Sequence, residues 1–266
     1  MVGAVEEALR FEQDGGVARL VLNRPHARNA LSVPMRDAFT AAVRRIEEDR
    51  EIRAVIIAGA GEHFCAGGDV KEMASGAVAT SELRLQRMRA WHPLIRSLDA
   101  LDRPVIAAVD GAAFGAGFGL ALLADLIIAS DRAVFSMAFQ RVGLVPDFGS
   151  SYTLPRVVGL PRARELMYSA RRIDAAEALR IGLALEVVPH EQLAQRAAAV
   201  AQGLSSASQT AFGLTKRLLG ATLQTDLGTM LEMESSAQSV AATSAYAAEA
   251  TVAFKDKRPG PFKWSG

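Results

Sequence analysis

The sequence predicts an α/β fold with mostly parallel strands. Short apolar runs of strand length alternate with segments of helical period. The runs lack polar alternation, as strands buried on both faces do. Two of them end in glycine-rich loops that open into helices. The first run covers residues 16–22, with Val17, Leu20, Val21 and Leu22 as its apolar content. Ser32 and Pro34 then mark a helix start, Ser as a side-chain cap and Pro at a first-turn position that needs no N–H, and this helix runs to Asp49. Further strands fall at 54–58, 105–109, 126–129 and 185–188. The small and polar stretch 76–80 predicts a mobile loop placed to cover a ligand, followed by a helix over 82–98. After Pro189 only helices follow, at 191–204, at 207–219 and in an Ala-rich span 225–254 packed through Met230, Met233, Val240 and Tyr246. A domain change near Ser205 separates a core, 1–204, from a helical region, 205–266.

Composition narrows the function. A chain of 266 residues, 50% hydrophobic and 22% charged, buries a sizeable core. Its 30 basic and 29 acidic residues leave no charge excess for nucleic acid or an anionic membrane surface. No apolar stretch reaches membrane-spanning length and the first residues do not read as a secretory signal, so a cytoplasmic location is expected. The single cysteine, Cys65, forms no internal disulfide or Cys-cluster metal site and reads as a small packed thiol rather than a nucleophile. His63 and His92 have no partner at ligand spacing, so no metal is expected.

The two glycine loops are His63-Phe64-Cys65-Ala66-Gly67-Gly68-Asp69 and Gly111-Ala112-Ala113-Phe114-Gly115-Ala116-Gly117-Phe118-Gly119. Each follows a buried strand and opens into a helix, the second over 116–124, so backbone N–H groups are left without helical partners. Facing each other, two such loops form an oxyanion hole; singly, each is equally well a tight turn. Asp147 stands in Val145-Pro146-Asp147-Phe148-Gly149, flanked by Phe139 and Phe148. In a pocket, desolvation raises its pKa toward that of a usable base; in a plain turn, the same residue accepts N–H groups or caps the helix near Ser150. Asp69 reads as a cap of the 70–73 turn, Glu72 as a residue at the pocket mouth, and Glu62 as solvated.

Several spaced motifs carry a resemblance. Asn23-Arg24-Pro25 with Asn29-Ala30-Leu31-Ser32, the run Phe64 to Asp69, Arg103-Pro104 through Asp110-Gly111, Gly143-Leu144-Val145-Pro146-Asp147 with Leu154-Pro155-Arg156, Ala175 to Leu183, and Ala253-Phe254-Lys255-Asp256-Lys257-Arg258 are similar in order and spacing to the crotonase (enoyl-CoA hydratase/isomerase) superfamily. The resemblance spans nearly the whole chain. It implies a spiral of ββα units, a C-terminal helical region used for assembly into a homotrimer or dimer of trimers, and an acyl-CoA thioester as ligand. Coenzyme A then arrives with the substrate, and no permanently bound cofactor is expected.

On this resemblance, Gly68 and Ala116 match the positions whose N–H groups bind the thioester oxygen. Hydratases of the family have glutamates at the positions of Gly119 and Phe139, and both are missing here. Hydration needs one group to activate water and another to handle the α proton, so the pair is significant. Asp147 matches the position of the base in some isomerases of the family, and one carboxylate is enough to move a proton between two carbons. The resemblance places the adenine and pantetheine near the backbone of Arg28, Ala66, Asp69 and Val70, and a phosphate near Lys257. Lys255, Lys257 and Arg258 equally form a solvated tail. Met73, Phe114, Phe118, Phe139 and Phe148 are candidate walls of an acyl pocket, or simple core. The expected activity is a double-bond shift in an enoyl-CoA, with hydration and catalytically silent acyl-CoA binding as the alternatives.

Overall fold

The computed structural model describes residues 7–69 and 80–264. In chain order its strands are β1 (Leu9–Asp14), β2 (Val17–Leu22), β3 (Ala54–Gly59), β4 (Val105–Val109), β5 (Ala112–Phe114), β6 (Leu126–Ser130), β7 (Val134–Ser136), β8 (Ile173–Asp174) and β9 (Glu186–Val188). The helices are α1 (Val33–Glu48), α2 (Ser81–Arg89), α3 (His92–Ala100), α4 (Ala116–Ala121), α5 (Ser150–Val158), α6 (Leu160–Ser169), α7 (Ala175–Arg180), α8 (Leu193–Ser205), α9 (Gln209–Ala221), α10 (Leu227–Ala242) and α11 (Ala245–Lys255).

One sheet runs in the order β1-β2-β3-β4-β6-β9, antiparallel at β1/β2 and parallel elsewhere. A smaller sheet, β5-β7-β8, stands beside it. Side chains alternate across a strand, so the apolar runs split between two covers. Val55, Ile57, Val105, Ala107 and Val109 pack with Met35, Phe39, Val43 and Ile46 of α1. Ala54, Ile56, Ala58, Ile106, Ala108 and Ile128 face Leu193, Ala197, Val200 and Ala201 of α8. The Ser32 hydroxyl caps α1 by accepting the Met35 N–H.

The structure departs from the sequence reading in local ways. β1 and the small sheet add strands that periodicity did not reveal. The helix expected over 82–98 is two helices, broken at Ala90 and Trp91, because Pro93 has no N–H to donate and is tolerated only in a first turn. Thr80 is the side-chain cap of α2, not part of a loop, and the rest of the 76–80 stretch lies outside the described residues. The Ala-rich span breaks at Thr243 and resumes with Ser244 as the cap of α11. Its packing stripe is narrower than expected: Met230 and Met233 are half-buried, Tyr246 donates to the Ser206 carbonyl at 2.9 Å, and Val240 is exposed. α9 meets the core through Gly213 against Asp102 and a Lys216–Asp125 ion pair of 2.9 Å. Beyond it Leu219, Leu223, Leu227, Leu231, Val252 and Phe254 remain exposed. Among the described residues no helix is long and apolar enough to cross a membrane.

Arg103 joins α1 to the sheet. Its side chain is almost fully buried, and Nη1 donates to the carbonyls of Ile46, Asp49 and Ile52 while Nε meets Asp102 at 3.0 Å. The guanidinium therefore satisfies the carbonyls left open where α1 ends and the chain turns toward β3. Replacing Arg103 with Met removes the guanidinium from all three carbonyls, leaving, among the described residues, Asp49 with only the Ile52 N–H at 3.3 Å and Ile52 with only Gln209 Nε2 at 3.5 Å. The expected loss is about 2–4 kcal/mol of unfolding free energy in urea titrations, and a loss under about 1 kcal/mol would refute the bridging role.

Candidate functional site

The site begins where β3 and β4 release their loops. The Phe64 N–H donates to the Asp110 carbonyl at 2.7 Å, the Cys65 N–H to Ala112 at 2.9 Å, and the Phe114 N–H back to Cys65 at 2.9 Å. The first loop thus pairs with β5 through a Cys65–Ala113 bridge. On its other side Leu31 donates to the Gly67 carbonyl at 2.8 Å and accepts from the Asp69 N–H at 3.1 Å. Because Leu31 uses the groups on either side of Gly68, the N–H of Gly68 points away from that pairing.

Gly67 brings the two loops together. It sits at φ +100°, and a Cβ there would lie 2.8 Å from the Phe114 carbonyl oxygen and 3.6 Å from the Ala116 nitrogen. Only glycine meets both demands, a positive φ and a backbone at its Cβ position. Ala116 is the first residue of α4, so its N–H has no partner within that helix. Among the described residues no hydrogen bond takes the N–H of Gly68 or Ala116. α4 ends at Ala121, not at residue 124, and so short a helix adds little macrodipole. Whatever these donors do rests on the N–H groups themselves.

The backbone of Asp147 lies against Gly119 of α4. Its carbonyl oxygen would be 3.4 Å from a Cβ built on Gly119, and Gly119 follows Ala116 by about 5 Å along the axis of α4. The turn that holds Asp147 is closed by its backbone: its carbonyl accepts from the Ser150 N–H at 3.0 Å and the Ser150 hydroxyl at 2.6 Å. The side chain does not cap α5, whose N-cap is Gly149. Instead Oδ1 is buried with no hydrogen-bond partner. Burial, only partly opposed by a backbone hydrogen bond, pushes the Asp147 pKa up to about 6.

The neighbouring position closes off the alternative seat for a carboxylate. A Cβ on Gly119 would lie 2.8 Å from the Phe148 Cβ, so Phe148 occupies the space that a larger residue at 119 would need. Phe148 adopts a left-handed φ of 55° and is buried, with its ring 5.3 Å from that of Trp91. Phe139 is also buried and stands over Gly115. Phe114 is half-buried, its ring 5.4 Å from the Arg172 guanidinium. Phe118 is fully buried, its ring 5.2 Å from that of Phe135 and tilted by 53°.

The remaining candidates are placed as follows. Asp69 is buried and pairs with Arg24 at 2.8 Å, while the 70–73 turn it was expected to cap, with Val70, Glu72 and Met73, lies outside the described residues. Arg28 has a left-handed φ of 50° and its carbonyl accepts from the Ala66 N–H at 2.9 Å. Lys257, at φ 53°, follows α11 and is exposed; among the described residues no hydrogen bond or ion pair joins its side chain to either loop. Cys65 is a packed thiol whose pKa burial pushes up to about 12. His63 accepts from the Ala112 N–H at 3.3 Å through Nδ1, and His92 opens α3 at the surface. Glu62 is exposed.

Two residues went unread in the sequence. Asn29, fully buried, spans the Arg24 N–H and the carbonyls of Ala60 and His63 at 2.7–2.9 Å, so it ties the loop before α1 to the first glycine loop. A polar residue inside the Ala27–Leu31 stretch was the available signal. Trp91 had none, because its contact with Phe148 depends on the break between α2 and α3.

Residues 12–265 match the family profile described as enoyl-CoA hydratase/isomerase. The chain is 38% identical to a probable enoyl-CoA hydratase of Rhodobacter capsulatus over 96% of its own length and 97% of the relative's. It is 36% identical to a 1,2-epoxyphenylacetyl-CoA isomerase of Escherichia coli over 93% and 95% of the two chains. A solved structure of an enoyl-CoA hydratase/isomerase from Cupriavidus metallidurans superposes with a TM-score of 0.93, at 40% identity, over 98% of this chain and 97% of that one.

The raised pKa of Asp147 has a consequence for stability. The folded state holds the proton more tightly than the unfolded chain, so this contribution is fully present below about pH 4 and is lost as pH rises through about 6. Asp147→Asn is therefore expected to be more stable than the unmodified protein at pH 8, by about 1–3 kcal/mol, with the difference vanishing near pH 4.5. Urea titrations at the two pH values test this, and a difference independent of pH would count against a buried, strained carboxylate.

Proposed function

The chain belongs to the enoyl-CoA hydratase/isomerase family, and from that membership we propose that it shifts the double bond of an enoyl-CoA by proton transfer, with Asp147 as the base. The observation that carries this reading is the buried, unpartnered Oδ1 of Asp147, a residue whose backbone packs against Gly119 of α4. In a 3-enoyl-CoA, the Asp147 carboxylate takes a proton from C2. The electron pair left behind delocalises onto the thioester oxygen as a dienolate. The N–H groups of Gly68 and Ala116 stabilise that oxygen, and the protonated Asp147 delivers the proton to C4, leaving the double bond between C2 and C3. One carboxylate completes the cycle and ends as it began.

The rival reaction, hydration, has support from the names of relatives: the Rhodobacter protein is called a probable enoyl-CoA hydratase, and a Clostridium acetobutylicum relative at 37% identity is called a short-chain-enoyl-CoA hydratase. Against it stand Gly119 and Phe139, where the two carboxylates of a hydratase would be needed, and the seat at 119 is filled by Phe148. For the rest of the ligand, the proposal keeps the backbone of Arg28, Ala66, Asp69 and Val70 near the adenine and pantetheine, Lys257 near a phosphate, and Met73, Phe114, Phe139 and Phe148 along the acyl group. The exposed apolar residues of α9 to α11 favour a homotrimer or dimer of trimers.

The deciding experiment follows 3-enoyl-CoA and 2-enoyl-CoA in deuterated buffer by product analysis, for the unmodified enzyme and Asp147→Asn. Migration of the double bond, reduced by about 10²-fold or more in the variant, is expected. Formation of 3-hydroxyacyl-CoA at equal rates by both proteins would overturn the assignment, and binding without turnover would mark a silent acyl-CoA-binding protein. Isomerase kcat/KM of the unmodified enzyme should fall as pH drops below about 6, since only the ionised carboxylate accepts a proton. A pH-independent rate between 5 and 8 would exclude Asp147 as the base. Ala116→Pro removes one N–H at a first-turn position where proline is tolerated, and should lower kcat by about 10²–10³-fold with the fold intact.

A further inference from the structure

The two glycine loops, one released by β3 and the other by β4, meet at a residue that plays no part in the proton transfer. Asp110 directly follows β4, and its carbonyl accepts the Phe64 N–H of the first loop at 2.7 Å. The next residue, Gly111, begins the second loop, and its carbonyl accepts the Val134 N–H at 2.9 Å. The Asp110 carboxylate is itself held from three directions. Oδ1 accepts from the Ser130 hydroxyl and from Arg132 Nε, both at 2.7 Å; Oδ2 accepts from Arg132 Nη2 at 2.6 Å and lies 3.1 Å from His190 Nδ1. Ser130 ends β6, Arg132 stands in the turn before β7, and His190 follows β9, so the carboxylate ties the ends of separate strands to the base of both loops.

The arrangement combines a sheltered carboxylate with exposed partners, Arg132 at 42% and His190 at 48%. Asp110 is largely buried, with its side chain 13% exposed, and a bidentate arginine fixes orientation as well as distance. Burial alone would raise its pKa, but the hydrogen bonds from Arg132 and Ser130 outweigh that and hold it below the usual carboxylate range. A second ion-pair cluster gives the contrast: Arg171 holds Glu165 and Glu177 together across α6 and α7, yet bonds to neither loop.

We propose that Asp110 is a positioning residue for the oxyanion site: clamped by Ser130, Arg132 and His190, it fixes the point where the loop bearing Ala116 begins and where the loop bearing Gly68 is held by the Phe64 N–H. This rests on the proposal that those two N–H groups hold the thioester oxygen. Released from the clamp, the loops keep their Cys65–Ala113 pairing but lose the fixed anchor at Asp110, and the spacing of the two donors relaxes. Ground-state binding, spread over Arg28, Lys257 and the first loop together, changes less. Stabilisation of the enolate oxygen, which depends on both donors at hydrogen-bond distance, declines.

The test uses butyryl-CoA labelled with carbon-13 at the thioester carbonyl, observed by infrared difference spectroscopy, together with steady-state isomerisation kinetics. In the unmodified enzyme the carbonyl stretch should move to lower frequency on binding. In Asp110→Ala and Arg132→Ala it should move by less than half as much, with kcat lower by about 10–100-fold and KM within about threefold. Asp110→Asn, which keeps acceptor capacity at one oxygen, should recover part of both. Glu165→Gln, which loosens the other cluster, should leave the frequency and kcat unchanged. If Asp110→Ala does not fold, Arg132→Ala and Ser130→Ala at the rim of the clamp carry the comparison. A full carbonyl shift in every clamp variant would overturn the positioning role alone. Absence of any shift in the unmodified enzyme would overturn the oxyanion reading, and this inference with it.

Discussion

Everything at the candidate site depends on one backbone pairing, the bridge between Cys65 and Ala113 that lays the first glycine loop along β5. Backbone pairing fixes position more tightly than side-chain contact because neither partner has rotamers to lose. Through this bridge the two loops become a short extension of the sheet instead of two independent surface turns. Leu31 adds a third strand-like segment on the far side, and Arg24 and Asn29 anchor it with side-chain bonds to Asp69, Ala60 and His63. The rest of the fold serves this assembly. β3 and β4 deliver the loops in register because their residues pair in parallel, Val55 with Val105 through Ala58 with Ala108.

Against this rigid frame Asp147 is the strained element. A carboxylate oxygen without a donor opposes folding once it ionises, and neighbouring apolar groups keep water from relieving it. The turn retains it by satisfying its backbone instead, through Ser150, and by placing Phe148 in a left-handed conformation that few phenylalanines adopt. Such concentrations of unfavourable local geometry are typical of places where a protein meets its ligand. The family accounts for the CoA thioester as ligand class; the proposed reaction rests on the local physics around Asp147.

Much of this was legible in the chain. The parallel strands announced themselves as unbroken apolar runs, because each run is divided between α1 and α8 and needs apolar residues on both sides. Ser32 with Pro34 marked the start of α1, and the glycine loops and Asp147 stood out by residue type. What stayed hidden was nonlocal or very short. β8 has two residues and β7 three, too few to show a period, and they exist as strands only because β5 lies beside them. β1 carries polar residues on its exposed face, and its partner β2 dominated that region. The break at Trp91 interrupts an apolar period that continues on both sides. The clamp on Asp110 joins residues separated by as many as eighty positions, and no local pattern encodes it.

The packing of Phe148 against Gly119 makes these two positions interdependent in any change of chemistry. A glutamate introduced at 119 alone meets the phenylalanine Cβ; a smaller residue introduced at 148 alone opens a void beside Trp91 and loosens the turn that presents Asp147. Either single step passes through a less stable protein, and only the double change reaches a packed site with a different carboxylate. The two positions are thereby coupled, and a carboxylate can enter at 119 without a clash only together with a change at 148.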